Sequence, residues 1–409
     1  MKIIAALSRI LLGCVFIFSG FVKGVDPLGY TYKITDYFTA FDVSFLSPLA
    51  FPLSVLLCAA EFVIGMALTL RLRMKLSAWA VLLFMCFFTV LTFILALTNP
   101  VTDCGCFGDA LILTNWETFF KNILLLAMAV VVFTRRKKYE PVYRPLIEWI
   151  CVAVIAALMA GISAYGYHHL PLLDFRPYSV GADIPRGMSV PEGAPSDEFK
   201  ITLYYEKDGV VKAFDEQDYP WNDSTWVWKD TRSELVRKGY QPPIHDFSIV
   251  TVDTETDITE EVLSSEGYTF LLAAYRLDKS DREAFGKADE IAKFCRENGY
   301  GFYCLTSSLR EEIEAVKTEL GLSFDFCFTD GITLKTIIRS NPGLVLIRNG
   351  TVLAKWHHND MPSAKELPAN LLAFALQQHA DTADRRLIYL LLSVMILAVY
   401  AFFEFRSKP

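Results

Sequence analysis

Six apolar stretches, each about as long as a bilayer is thick, constrain this chain more than any other feature. A helix needs about 20 mostly apolar residues to cross a hydrocarbon core. Runs at 3–22, 46–70, 76–97, 116–133, 146–166 and 386–404 meet that requirement, whereas residues 167–385 contain no comparable run. Composition says the same in averages. At 53% hydrophobic and a mean hydropathy of +0.32, the chain is too apolar for an ordinary soluble domain. At 21% charged it is too polar to lie wholly in lipid. A collagen-like or disordered chain is excluded.

Lys and Arg in short loops set the orientation. Arg71, Arg73 and Lys75 lie between the second and third runs. Arg135, Arg136, Lys137, Lys138 and Arg144 lie between the fourth and fifth. Lys2, Arg9, Arg406 and Lys408 mark the two ends. The 98–115 loop has no Lys or Arg and carries Asp103 and Asp109. Six crossings with both termini cytoplasmic satisfy all of these, as in a bacterial-type inner-membrane protein. Residues 167–385 then lie on the periplasmic, extracytoplasmic side, with a formal charge of −13 against +6 for the rest. An acidic outer domain over a basic membrane part argues against nucleic-acid binding. The first run reads as a retained helix, because no A-x-A cleavage site follows it. Leu11-Leu12-Gly13-Cys14 has the form of a lipoprotein box, but Arg9 interrupts the segment before it and the apolar run continues to Val22, so lipidation is not expected.

Outside the membrane, Pro171, Pro177, Pro185, Pro191 and Pro195 make 167–198 a linker or extended arm. Lys200–Phe214 reads as two strands around the Lys207-Asp208-Gly209 turn. The tract with Trp221, Trp226 and Trp228 reads as packing or headgroup-facing residues. From 239 the pattern becomes strand, helix, strand, helix and hairpin. Strands are expected at Phe247–Val252, Tyr268–Tyr275, Gly301–Thr306, Phe324–Phe328, Gly343–Arg348 and Thr351–His357. Helices are expected at Ser280–Asn298, Ser308–Leu320 and Ile332–Arg339. Asn349-Gly350 supplies a strong hairpin turn.

That α/β plan, with Ser340-Asn341-Pro342-Gly343 leading into an apolar strand and hairpin, resembles thioredoxin-like domains of the TlpA and peroxiredoxin sort. The resemblance covers 239–358 within a domain of 239–375, and it implies a cis peptide before Pro342. The family's reactive cysteine belongs just after the Tyr268–Tyr275 strand, where this chain reads Arg276-Leu277-Asp278-Lys279-Ser280-Asp281. Disulfide exchange needs a thiolate, so this domain is not expected to do thioredoxin chemistry at the usual site. Cys295, Cys304 and Cys327 fall on apolar faces and read as core residues, with a Cys295–Cys304 disulfide left open. The pairs His168-His169 and His357-His358 read as surface positions.

The chemistry-bearing feature is the outer loop Asp103-Cys104-Gly105-Cys106-Phe107-Gly108-Asp109. Two thiols one residue apart close only a tight ring, which Gly105 makes accessible. Three readings stand: a redox-active Cys104/Cys106 pair, a structural disulfide or plain loop thiols, and a two-thiolate metal site, for which no His lies in the loop. Asp103 and Asp109 are expected to raise the thiol pKa values unless a cation is close, and Lys23 is the candidate cation. Glu61 is the acid deepest inside a spanning run, a functional hypothesis by default, with Lys23 or Arg9 as its partner. Cys14, Cys58, Cys86 and Cys151 read as helix packing residues, Cys58 lying toward the outer half.

The loop, together with Phe18-Ser19-Gly20-Phe21-Val22-Lys23 and Ala60-Glu61-Phe62-Val63-Ile64-Gly65, resembles the DoxX/MauE family of four-helix membrane proteins over residues 1–135. The resemblance implies membrane-linked thiol chemistry; MauE is thought to support disulfide formation in a periplasmic dehydrogenase subunit during methylamine utilisation. The expected organisation is a DoxX/MauE-like bundle (1–135), a fifth helix (146–166), a linker and hairpin region (167–238), the thioredoxin-like domain (239–375) and a sixth helix (386–404). The expected function is thiol–disulfide redox work on an extracytoplasmic protein partner, carried by Cys104 and Cys106 and supported by Asp103, Gly105, Asp109, Lys23 and Glu61. The rivals are a non-enzymatic scaffold whose degenerate domain binds a partner, and a transporter centred on Glu61. No metal is expected and no cofactor is evident. A quinone is compatible with the chain, but no residue pattern marks a site.

Overall fold

In a computed structural model the described residues are 2–101, 103–237 and 239–380. The run at 386–404 lies outside them. Among the described residues, five helical segments are long and apolar enough to cross a membrane. They are α1 (Lys2–Val25), α3 (Ala50–Leu70, preceded by a 3-10 turn from Ser44), α4 (Met74–Thr98), α5 (Asn115–Thr134) and α6 (Pro145–His168). Between the first two runs lies α2 (Pro27–Ala40), which does not cross. Asp26 caps it by accepting a hydrogen bond from Gly29 N–H at 2.9 Å, and Pro27 fits its first turn.

Close approach of α1 to α3 organises the bundle. A Cβ on Gly20 would sit 2.5 Å from the backbone nitrogen of Phe62, and one on Gly65 2.6 Å from that of Ile17. Small residues at both places let the two backbones touch, the usual device where lipid offers no hydrophobic drive between helices. The contact brings Ser19 and Lys23 of α1 to Glu61 of α3. At the opposite end of the bundle, Arg9 donates to the carbonyls of Leu68 and Thr69. Arg73 Nη1 lies 3.8 Å from Glu148 there.

The outer α/β domain is built on a six-stranded sheet of order β4-β7-β6-β5-β8-β9. Its strands are β4 (Val250–Thr251), β5 (Tyr268–Ala273), β6 (Gly301–Thr306), β7 (Asp325–Phe328), β8 (Gly343–Arg348) and β9 (Thr351–His357). The pairs β5–β6 and β6–β7 are parallel, and β5–β8 and β8–β9 antiparallel. The helix over Arg282–Asn298 is capped by Asp281 and ends on Gly299 with φ +71°. It lays Phe285, Ala288, Ile291 and Cys295 on a core shared with Phe270, Leu272, Leu344 and Leu346. Shorter helices span Thr259–Ser264, Arg310–Leu320 and Gly331–Ile337, and another covers 371–380. This is the thioredoxin-like layer plan, and the Asn341–Pro342 peptide is cis. Cys295, Cys304 and Cys327 are free, buried thiols. The open question of a Cys295–Cys304 bond is thus answered in favour of core packing.

Residues 183–247 form a separate compact unit. It holds a one-turn helix (Ile184–Met188) and an antiparallel sheet of order β2-β1-β3, made from β1 (Glu198–Lys207), β2 (Val210–Asp215) and β3 (Val227–Arg237). Asp208 and Gly209, both at positive φ, make the tight turn of the first hairpin. Trp226 packs edge-on against Phe214 at 5.1 Å, while Trp221 is largely exposed.

Candidate functional site

The Cys-Gly-Cys loop joins α4 to α5 at the end of the bundle that bears the outer domain. Cys104 and Cys106 are both free, with their Sγ atoms 2.6 Å apart against about 2.05 Å in a disulfide, so the sulfurs can join after a small movement. Asp103 folds the loop over itself, its Oδ1 accepting from Gly105 N–H at 2.9 Å. Gly105 has φ +62°, and a Cβ there would meet Lys33 Cγ at 2.7 Å. A left-handed backbone and a close neighbour both call for glycine.

Helix α2 supplies most of the loop's polar contacts. Tyr37 donates its hydroxyl to the Cys104 carbonyl, and Lys33 Nζ pairs with Asp103 at 2.9 Å. From α1, Ser19 Oγ lies 2.7 Å from the Cys106 carbonyl and 2.7 Å from Glu61 Oε2. The other Glu61 oxygen pairs with Lys23, and both side chains are buried. Lys23 also lies over the ring of Tyr30 at 4.7 Å. Of the two candidate partners of Glu61, the structure selects Lys23. From α5, Thr118 Oγ1 lies 3.3 Å from Cys104 Sγ.

The two thiols are unequal. Cys104 is lowered to about 6, first by its hydrogen bond with Cys106, working against the cost of burial. The Thr118 hydroxyl, the Cys106 N–H and the charge of Lys121 help it. Cys106 is raised, first by that same bond and then by burial. The expected elevation by Asp103 and Asp109 is not seen at Cys104, where the hydrogen bond with Cys106 dominates; Asp103 pairs with Lys33 and Asp109 with Arg339. Lys23 is committed to Glu61, and the cation acting on Cys104 is Lys121. The sequence signal for Lys121 was its place inside an apolar run.

The outer domain meets this region with the face that bears its cis-proline. Arg339, buried and three residues before Pro342, donates through Nε to both Asp26 oxygens (3.1 and 2.8 Å) and through Nη2 to Asp109 at 3.0 Å. Tyr275 Oη lies 3.3 Å from Tyr32 Oη of α2. Where the family carries its cysteines, Arg276 pairs with Asp278, and Asn341 Nδ2 donates to the Arg276 carbonyl at 2.8 Å. Burial pushes Cys295 and Cys327 up to about 12 and raises Cys304, so these thiols stay protonated.

Of the two histidine pairs, His168 is exposed as expected, whereas His357 is 2% exposed, its ring 4.0 Å from that of His358. His169 Nδ1 lies 2.8 Å from Asp360. The end of α6 and the end of β9 converge there. Among the described residues, no three His, Cys, Asp or Glu side chains form a metal-ligand set.

These features define a multi-pass helical membrane protein with a cysteine pair at one end of its bundle and a thioredoxin-like α/β domain. The family model of methylamine utilisation protein MauE matches residues 1–135, so the N-terminal region is MauE-like. Residues 199–238, most of the small antiparallel sheet, match a domain of unknown function (DUF8463). Comparison with the curated proteins finds no match. Among solved structures, the chain is similar to a candidate protein disulfide isomerase from Bacteroides thetaiotaomicron (15% identity, 34% of this chain and 85% of that one, TM-score 0.24). It is also similar to an uncharacterized conserved protein from Geobacillus kaustophilus (15% identity, 32% and 79%, TM-score 0.25).

Proposed function

We propose that the chain is an inner-membrane thiol oxidant whose Cys104–Cys106 disulfide makes disulfides in an extracytoplasmic protein. The observation that carries this reading is the cysteine pair itself: two free thiols of one short loop with their sulfurs 2.6 Å apart. A partner thiolate attacks the Cys106 sulfur, and Cys104, the thiol with the lower pKa, leaves as thiolate. A second partner thiol then attacks the mixed disulfide, its own disulfide forms, and Cys106 leaves and takes a proton. The basic loops facing the cytoplasm support the placement of the loop and the outer domain on the oxidising side. The thioredoxin-like domain, without cysteines at its usual site and with its cis-proline face on α2, acts as a holder for the loop and not as a second redox centre.

Acid quenching of cells followed by alkylation tests this. Wild-type Cys104 and Cys106 are expected as a mixture of dithiol and disulfide, and Cys106 in mixed disulfide with a partner when Cys104 is Ser. A pair that stays oxidised under reducing growth, with no change of protein disulfides in Cys104→Ser and Cys106→Ser, refutes the reading in favour of a scaffold.

A further inference from the structure

At the end of the bundle away from the cysteine loop, two arginines have no acid partner among the described residues. Arg9 sits two turns into the spanning helix α1 and is only 9% exposed. An unpaired charge in such a segment is costly. Its Nη1 donates to the carbonyls of Leu68 and Thr69 in the last turn of α3, which leaves the Nε–Nη2 edge unused. Close packing of α1 on α3 fixes the side chain there: a Cβ on Gly13, one turn further along α1, would lie 3.0 Å from the Gly65 carbonyl.

Arg71 is the neighbour of Arg9. It follows α3 in a left-handed backbone, φ +60°, and its charge bears on Arg9. Its Nη2 donates to the Glu140 carbonyl at 3.3 Å, and its guanidinium lies over the Tyr139 ring at 5.9 Å. The Tyr139 hydroxyl reaches the Ala5 carbonyl of α1 at 3.4 Å, which closes the cluster. Arg71 Nε is buried and has no hydrogen-bond partner. Buried polar atoms are nearly always satisfied, so this one calls for an acceptor. The acids nearby do not supply it. Glu148 lies 3.8 Å from Arg73, and the exposed Glu140 makes no ion pair among the described residues. The loops around the cluster only add Lys75, Arg135, Lys137 and Lys138.

We infer that Arg9 and Arg71 together hold the phosphate of an anionic phospholipid. A guanidinium edge presents two N–H groups in the spacing of two phosphate oxygens. The free edge of Arg9 and the orphaned Nε of Arg71 supply three donors, and two positive charges meet one negative headgroup. The flanking surface suits a lipid better than a soluble anion. Ile3, Leu7 and Ile10 of α1 and Leu70 of α3 are exposed beside the cluster, on helices that cross the membrane, where acyl chains lie. A zwitterionic headgroup brings its own cation into this basic surface, so an anionic one is preferred. Neither arginine touches the cysteine loop, and the lipid site is independent of the redox reading.

The test uses full-length protein in detergent, read intact by native mass spectrometry. The probes are phosphatidylglycerol and phosphatidylcholine with the same acyl chains. One phosphatidylglycerol per chain is expected to be retained, with a preference over phosphatidylcholine of about tenfold or more. Arg9→Gln and Arg71→Gln should each bring the preference close to one. Arg71 is half-exposed, so its variant keeps the test decisive even where loss of the buried Arg9 impairs folding. A wild-type preference in Arg71→Gln overturns the site. The double variant Lys137→Gln/Lys138→Gln removes two charges from the same end of the bundle and should leave the preference unchanged; an equal loss there overturns the site in favour of a diffuse basic surface. Millimolar inorganic phosphate should not displace the lipid. Displacement, or protection from thermal unfolding by phosphate alone as strong as that by phosphatidylglycerol, overturns the lipid and assigns the arginines to a soluble anion.

Discussion

Replacing Arg339 by Met should undock the outer domain from the membrane end. The side chain is buried and holds two carboxylates at once: Asp26 with two hydrogen bonds and Asp109 with one. Removing one partner of a buried pair costs about 3–5 kcal/mol, because the other charge is left behind. The two acids share this unequally. Asp109 is 46% exposed, so water takes over much of its share and its part falls to about 0–1 kcal/mol. Asp26 is 18% exposed and keeps only the Gly29 N–H, so most of the loss is there. A total of about 3 kcal/mol shifts the docked–undocked equilibrium by about a hundredfold. Hydrogen exchange read by mass spectrometry on 26–43 and 331–342 measures it. Amides that exchange through undocking should speed up by about that factor, while those of β5 and β6 stay protected. Unchanged exchange in α2 would show that Arg339 does not hold the two parts together.

Gly105→Ala forces a side chain into a left-handed position at about 1–2 kcal/mol and displaces Lys33 from Asp103, so thermal unfolding in detergent should come earlier; an unchanged transition refutes the packing argument. His357 is depressed to about 3 by burial first and by the neighbouring His358, His169 and His168 next. Asp281, on the same side, works the other way. Its folded pKa lies below the unfolded value of about 6.5, so the unfolded chain binds the proton first. Stability is therefore complete above about pH 6.5 and falls as pH drops toward 3, by up to about 1.4 kcal/mol per pH unit. Unfolding of wild type and His357→Phe at pH 7 and pH 5 should show a slope in the former that the latter lacks.

Elements written in local sequence were legible, and those written in long-range contact were not. The Asp208-Gly209 and Asn349-Gly350 turns, the five apolar runs among the described residues and the 3.6-residue stripe of Arg282–Asn298 carry their own signal, and each forms. Helix α2 was hidden because Tyr30-Thr31-Tyr32-Lys33-Ile34-Thr35 alternates like a strand. The readable clue was Asp26-Pro27, a cap followed by proline at the first position. The eleven-residue β3 is exposed along its whole length and has no apolar alternation, since it is defined only by pairing with β1. In the site, the pairing of Lys23 with Glu61 could be foreseen because membrane charges must find partners. Arg339 could not, because 313 residues separate it from Asp26 and nothing local marks an ion pair across that distance.

Helix α2 has two working sides. Lys33 and Tyr37 grip the cysteine loop, while Asp26 and Tyr32 engage the outer domain. Thermodynamic linkage then runs in both directions. If closing the Cys104–Cys106 bond changes the hold of α2 on the loop, it changes the affinity of the outer domain by the same free energy, and docking shifts the pair's midpoint potential equally. On the proposed redox reading, the helix would let the docked domain sense and tune the state of the two sulfurs.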